Sequence, residues 1–111
     1  MSEVTKVDHG QFLLNDGDDA RTVAYKVYGD GNKYQVLLSA NPEDWEVLEH
    51  VKVPNKKGRV TRVEPMDSHI DLIKRMFPGQ PQSIYVAPFF KWNGGEDHYL
   101  LEGDEIFIPE R

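Results

Sequence analysis

The chain has 111 residues, 19 acidic against 13 basic side chains, a formal net charge of −6 and no cysteine. That length holds one ordinary domain or two very small ones sharing a core, and leaves no room for a (β/α)8 barrel or a dinucleotide-binding domain with its substrate domain. Disulfides and thiolate metal sites are excluded, the acidic balance argues against a phosphate-neutralising face, and no apolar run reaches the ~18 residues of a membrane helix.

The segment from Met1 to Gly10 lacks the apolar core of a signal peptide, which implies synthesis and retention in the cytosol, with incorporation into a particle left open. Residues 1–9 read as a flexible tail. Gln11–Leu14 is a short strand, followed by the turn cluster Asn15-Asp16-Gly17-Asp18-Asp19, with Asp18 as the expected helix N-cap. Ala20, Val23, Ala24 and Val27 then fall on one helical stripe, and Gly29-Asp30-Gly31-Asn32 stops it. Tyr34, Leu37 and Leu38 repeat the spacing in a second short helix that ends at Ala40-Asn41-Pro42. Helices of about nine residues are marginal alone, so packing must hold them.

Glu43–His50 fits either a helical turn or an irregular loop, and Val51–Gly58 has a turn signature. Arg59–Pro65 alternates polar and β-branched residues as a half-buried strand, which closes the first half. Met66-Asp67-Ser68 is a second cap signal, and Ile70, Ile73, Met76 and Phe77 mark a helix that Pro78-Gly79 stops. In Gln80–Tyr99, Pro81 suits the first turn of a helix, while Ser83–Ala87 serve equally as helix or strand. Pro88 would break that helix, and Pro88–Asn93 would then form a separate short helix. Gly103-Asp104 is a turn, and Glu105–Pro109 is the final strand.

The two halves match. The stretch from Gly17 through Gly29 aligns with that from Met66 through Pro78, Asp18 falling on Asp67 at an offset of 49 residues. A duplicated unit follows, with a few extra residues needed beyond Phe77.

Asp16-Gly17-Asp18, Val23-Ala24, Tyr28-Gly29-Asp30 and Ala40-Asn41-Pro42, with the closing Gly103-Asp104-Glu105-Ile106-Phe107-Ile108-Pro109, resemble the motifs of a LysM domain. Val53–Val63 resembles a looser version of that ending. The resemblance implies an α+β fold of LysM-like βααβ units, two in tandem over residues 10–65 and 66–111, the second divergent at Met66 and Pro88. One unit with a long insertion before the last strand is the rival layout. The Tyr28-Gly29-Asp30 sequence is similar to a subgroup found in the tails of contractile phages. That likeness implies a non-enzymatic connector in a phage tail or baseplate, assembled in the host cytoplasm and carried in the virion. Its partners would be other tail subunits, in multiple copies of a symmetric assembly, with no nucleic acid, membrane, metal or cofactor.

Many LysM domains grip N-acetyl sugars between the loop after the first strand and the loop after the second helix. The matching positions here are Gly17, Asp18, Asp19, Ala20, Asn41, Pro42 and Trp45. The alternative function is therefore a peptidoglycan- or chitin-binding module, with Trp45 stacking on a sugar. In the connector reading Trp45 is a hydrophobic anchor, since Trp is enriched at binding hot spots. Phe89, Phe90 and Trp92 are further interface candidates.

Residue types that suggest catalysis do not have the needed spacing. Asp67-Ser68-His69 are adjacent, whereas a hydrolytic triad assembles from separated segments, so a helix cap is the expected role. The acidic cluster Glu96, Asp97, His98, Glu102, Asp104 and Glu105 matches no EF-hand or zinc-helix spacing and reads as a solvated surface.

Overall fold

The computed structural model describes residues 3–111, in the order β1 (Thr5–Val7), β2 (Gly10–Leu13), α1 (Ala20–Tyr28), α2 (Tyr34–Ala40), β3 (His50–Val53), β4 (Gly58–Arg62), α3 (His69–Met76), α4 (Ser83–Trp92) and β5 (Glu105–Pro109). The fold is mixed α+β, with two small antiparallel sheets, β2-β3 and β1-β4-β5.

The helices start where side chains satisfy the orphan N–H groups of their first turns. Asp19, one residue later than expected, caps α1 by accepting from the Thr22 N–H at 2.8 Å. Ser68 caps α3 in a reciprocal box with Asp71, which confirms the cap reading of Asp67-Ser68-His69. The stripe of α1 turns inward as expected, burying Val23, Ala24 and Val27, but on α2 only Leu37 is buried and Leu38 lies exposed. The α4 helix runs straight through Pro88. Its Tyr85, Phe89 and Trp92 sit four and three residues apart on one buried face. Burying three large rings outweighs the ~3 kcal/mol that an interior proline costs.

Three further expectations are corrected by strand pairing. Residues 5–7 of the expected flexible tail form an edge strand, Thr5 opposite Val60, while Met1 and Ser2 of that tail lie outside the described residues. The first unit is closed by β3, where Phe12 faces Val51, in the stretch read as a loop and turn. Val51 and Val53 are buried and Lys52 is exposed, a two-residue alternation too short to stand out. The strand at Gly58–Arg62, expected to close the first unit, instead pairs with β5 and opens the second. The division expected between residues 65 and 66 therefore moves back to the β3–β4 turn, and two βααβ units follow, β2-α1-α2-β3 and β4-α3-α4-β5.

The units repeat down to single hydrogen bonds. Asp18 accepts from the Asn15 N–H at 2.9 Å and pairs with Lys26 at 2.7 Å. Asp67 accepts from the Glu64 N–H at 2.8 Å and pairs with Arg75 at 2.9 Å. In the first unit the Asn41 amide receives the Lys52 N–H and donates to the Lys52 and Leu37 carbonyls. In the second, Asn93 does the same with Phe107 and Phe89.

Two cores result, and the second unit contributes to both. Val63, Leu72, Ile73, Met76, Phe77, Tyr85, Phe89, Ile106 and Ile108 form its own. Trp92 and Phe107 instead join Phe12, Val23, Val27, Leu37 and Val51 in the core of the first. Burial on both faces explains the unbroken apolar run Ile106-Phe107-Ile108 in β5, which reads as continuous rather than alternating. Gly58 sits between β1 and β5, where a Cβ would stand 2.5 Å from the Ile108 carbonyl oxygen and from the Phe107 ring.

Candidate functional site

The loop after β2 and the loop before β3 enclose an open groove of about 750 Å³ at one end of the first unit. It gathers Gly17, Asp18, Asp19, Ala20 and Trp45 from the expected positions, together with Glu43 and Asp44. Gly17 makes the turn possible with φ +85°, a conformation that glycine adopts without steric cost. Leu14, Leu38 and Leu48 supply an apolar lining that sequence reasoning missed. Leu38 lies beside the α2 stripe, so the helical pattern assigned it to the core.

Most of the predicted groups in this groove have structural work to do. The Asp18 carboxylate is almost fully covered and staples the turn to α1 through Lys26. Asp19 caps α1, and its two hydrogen bonds from Thr22, backbone first, hold its carboxyl below the usual range. Asp44 accepts from the Glu46 N–H at 3.0 Å and caps the 3₁₀ turn Trp45–Val47. Asn41, expected in the groove, is only 5% exposed and binds β3 instead. Its carbonyl accepts the Trp45 indole N–H at 3.0 Å, so it sets the ring that lines the groove. Pro42 is exposed but does not line the groove.

What this groove leaves for a partner is a half-buried Trp45 ring, the exposed Leu38 and three carboxylates. Among the described residues, the side chains of Asp16, Glu43 and Glu46 make no hydrogen bond or ion pair. No basic side chain lines the groove.

The other interface candidates are corrected. Phe89 and Trp92 are buried core residues and Phe90 packs on the second core, because Pro88 does not break α4 and its apolar face turns inward. Among the described residues the large exposed apolar side chains are Val36 and Leu38 on α2, with Tyr25, Val47, Met66, Tyr99 and Leu101 in turns or on the outer helix face, where no periodic signal marks them.

The equivalent turn of the second unit carries Met66 at φ +69°, where Gly17 stands in the first, and its side chain is 97% exposed. A side chain in left-handed backbone costs ~1–2 kcal/mol, and nothing packs on this one to offset it. Met66→Gly is expected to raise stability by up to about 1 kcal/mol, since part of the relief is returned as unfolded-chain entropy. Urea denaturation of the two proteins measures it.

Asp67 differs from its counterpart Asp18 in having an arginine partner. The hydrogen bond from Arg75 is the main cause that holds its carboxyl below the ordinary value of 3.8. A depressed carboxylate pKa stabilises the fold above the unfolded value, and that stability is lost as pH falls through the folded one. Asp67→Asn should therefore destabilise by about 1–3 kcal/mol at neutral pH, with the difference from the parent shrinking below pH 4. Chemical denaturation at a series of pH values tests both parts.

Among the described residues no group of three or more His, Asp or Glu side chains is placed to hold a metal ion, and no helix is long and apolar enough to cross a membrane. Comparison of the chain with protein-family models, with curated proteins and with solved structures finds no match.

Proposed function

We propose that the chain is a non-enzymatic structural connector of a phage-like contractile tail or baseplate, holding neighbouring subunits through LysM-like units. Support for the LysM likeness comes from the two βααβ units and from the groove that sets Gly17–Ala20 against Trp45. The observation that carries the connector reading is the composition of the groove's rim. Trp45 has its indole N–H already bonded inside the protein, and the exposed Leu38 lines the groove with it. An aromatic anchor ringed by apolar and charged side chains suits a protein surface. In this reading the chain performs no chemical step, needs no cofactor and resides in the particle.

A glycan reading is favoured by one feature, the free carboxylates of Asp16, Glu43 and Glu46 beside the Trp45 ring, since carboxylates accept hydrogen bonds from sugar hydroxyls. One pair of experiments separates the two. The connector is expected to co-purify with tube or baseplate subunits and to stay in the supernatant with purified peptidoglycan. Saturable pelleting with peptidoglycan, abolished by Trp45→Ala, would replace it with the glycan-binding module.

A further inference from the structure

A second groove, of about 550 Å³, lies at the seam between the two units. Val27, Ile84, Ala87 and Pro88 give it an apolar floor. Its rim carries the Lys56, Lys91 and Arg111 side chains, and the one side-chain carboxylate lining it, Glu110, is engaged by Arg59 at 3.4 Å. A basic rim around an apolar floor stands out on a chain of net charge −6.

The same molecule carries a projection of complementary chemistry. The 3₁₀ turn Trp45–Val47 presents Val47, 78% exposed, as an apolar tip. Glu43, Asp44, Glu46 and Glu49 flank it, all exposed and with no basic residue among them. The two surfaces lie at opposite ends of α1. Ala20, at its N-terminal end, lines the groove beside this turn, and Val27, near its C-terminal end, lines the seam groove. Seven helical residues separate them by about 10 Å along the axis. One copy therefore cannot fold its own turn into its own seam, but a second copy can supply the turn.

We infer that the chain associates with itself head to tail, the Val47 turn of one copy seating in the basic seam groove of the next. Val47 meets the apolar floor while Glu43 and Glu46 meet Lys56 and Lys91. The surfaces used by the two copies differ, so the contact is heterologous and propagates into a ring or a filament rather than closing as a two-fold dimer. The inference does not depend on the tail-connector reading, since it uses only these two surfaces.

Charge exchange tests it. The Glu46 and Lys91 side chains make no hydrogen bond or ion pair among the described residues, so Glu46→Lys and Lys91→Glu break no polar contact of the fold, and circular dichroism checks that both variants remain folded. Sedimentation velocity of the purified full chain should show concentration-dependent association, weakened about tenfold or more by either substitution alone. Glu46→Lys lowers the net negative charge, so weaker association in that variant is not a general charge effect. Mixing the two variants should restore association, because each turn then finds a groove of opposite sign. A parent chain that stays monomeric at every attainable concentration overturns the inference. So do oligomers indifferent to either substitution, or a mixture no stronger than its components.

Discussion

Trp92→Ala is expected to lower the stability of the whole chain by about 3–5 kcal/mol, the range for truncating a large buried aromatic. The size follows from where the ring sits. Trp92 belongs to the second unit by sequence, yet its side chain, 4% exposed, is part of the first unit's core. It stands edge-on to Phe12 at 6.0 Å and lies 4.9 Å from Phe107. Gly10 opens the space for it, since a Cβ there would come within 2.8 Å of the indole. A second measurement follows from that contact. Gly10→Ala should be costly in the parent and much less so once Trp92 is alanine, and a double-mutant cycle reads this coupling directly. The parent should unfold in one transition by fluorescence and by circular dichroism. If truncating Trp92 separated these transitions without lowering either, the ring would not be what joins the two halves.

Asn93→Ala should cost about 2–4 kcal/mol, a large effect for removing a polar side chain. The Asn93 amide receives the Phe107 N–H at 3.1 Å and donates to the Phe107 and Phe89 carbonyls at 2.8 and 2.7 Å. In effect the side chain acts as a one-residue strand along the outer edge of β5. Truncation leaves three buried backbone groups unpaired, and desolvated groups without partners cost far more than an average hydrogen bond contributes. Asn41→Ala should follow the same pattern at Lys52, with one addition: it uncovers the outer edge of β3, where only the charge of Lys52 discourages pairing with another chain. Equilibrium unfolding measures the first effect, and concentration-dependent light scattering the second. A cost below 1 kcal/mol for Asn93→Ala would mean that water replaces the amide without penalty.

Much of this was legible in the residues, and the rest was hidden for identifiable reasons. The α1 stripe, the caps, the final strand and the 49-residue repeat are local patterns, and local patterns survive folding. The pairing partner of Gly58–Arg62 was not legible, because a strand carries no mark of which partner it takes. The strand takes β5, whose Phe107 is buried in the core of the first unit. Pro88 reads as a break because its cost is local, whereas the gain from Tyr85, Phe89 and Trp92 comes from a core assembled across the chain. At the groove, loop positions Gly17–Ala20 and Trp45 share one lining. Asn41 is not part of it, and an asparagine in a loop motif does not reveal that its amide serves a strand 11 residues away.

The unequal contribution of the two units also bears on how such a chain can grow. Trp92 immediately precedes Asn93 and fills a hollow in the first unit, but the residue preceding Asn41 is Ala40. Phe107, clasped by Asn93, points into the same hollow, whereas Lys52, clasped by Asn41, points to solvent. One unit is built to fill and the other to be filled. Solenoid repeats keep both faces alike, so each new repeat finds the same surface and stacking continues. Here a third unit placed ahead of the first would meet Ala40 and Lys52, with nothing large to insert into it, so the packing between these two units is not one that simple repetition reproduces.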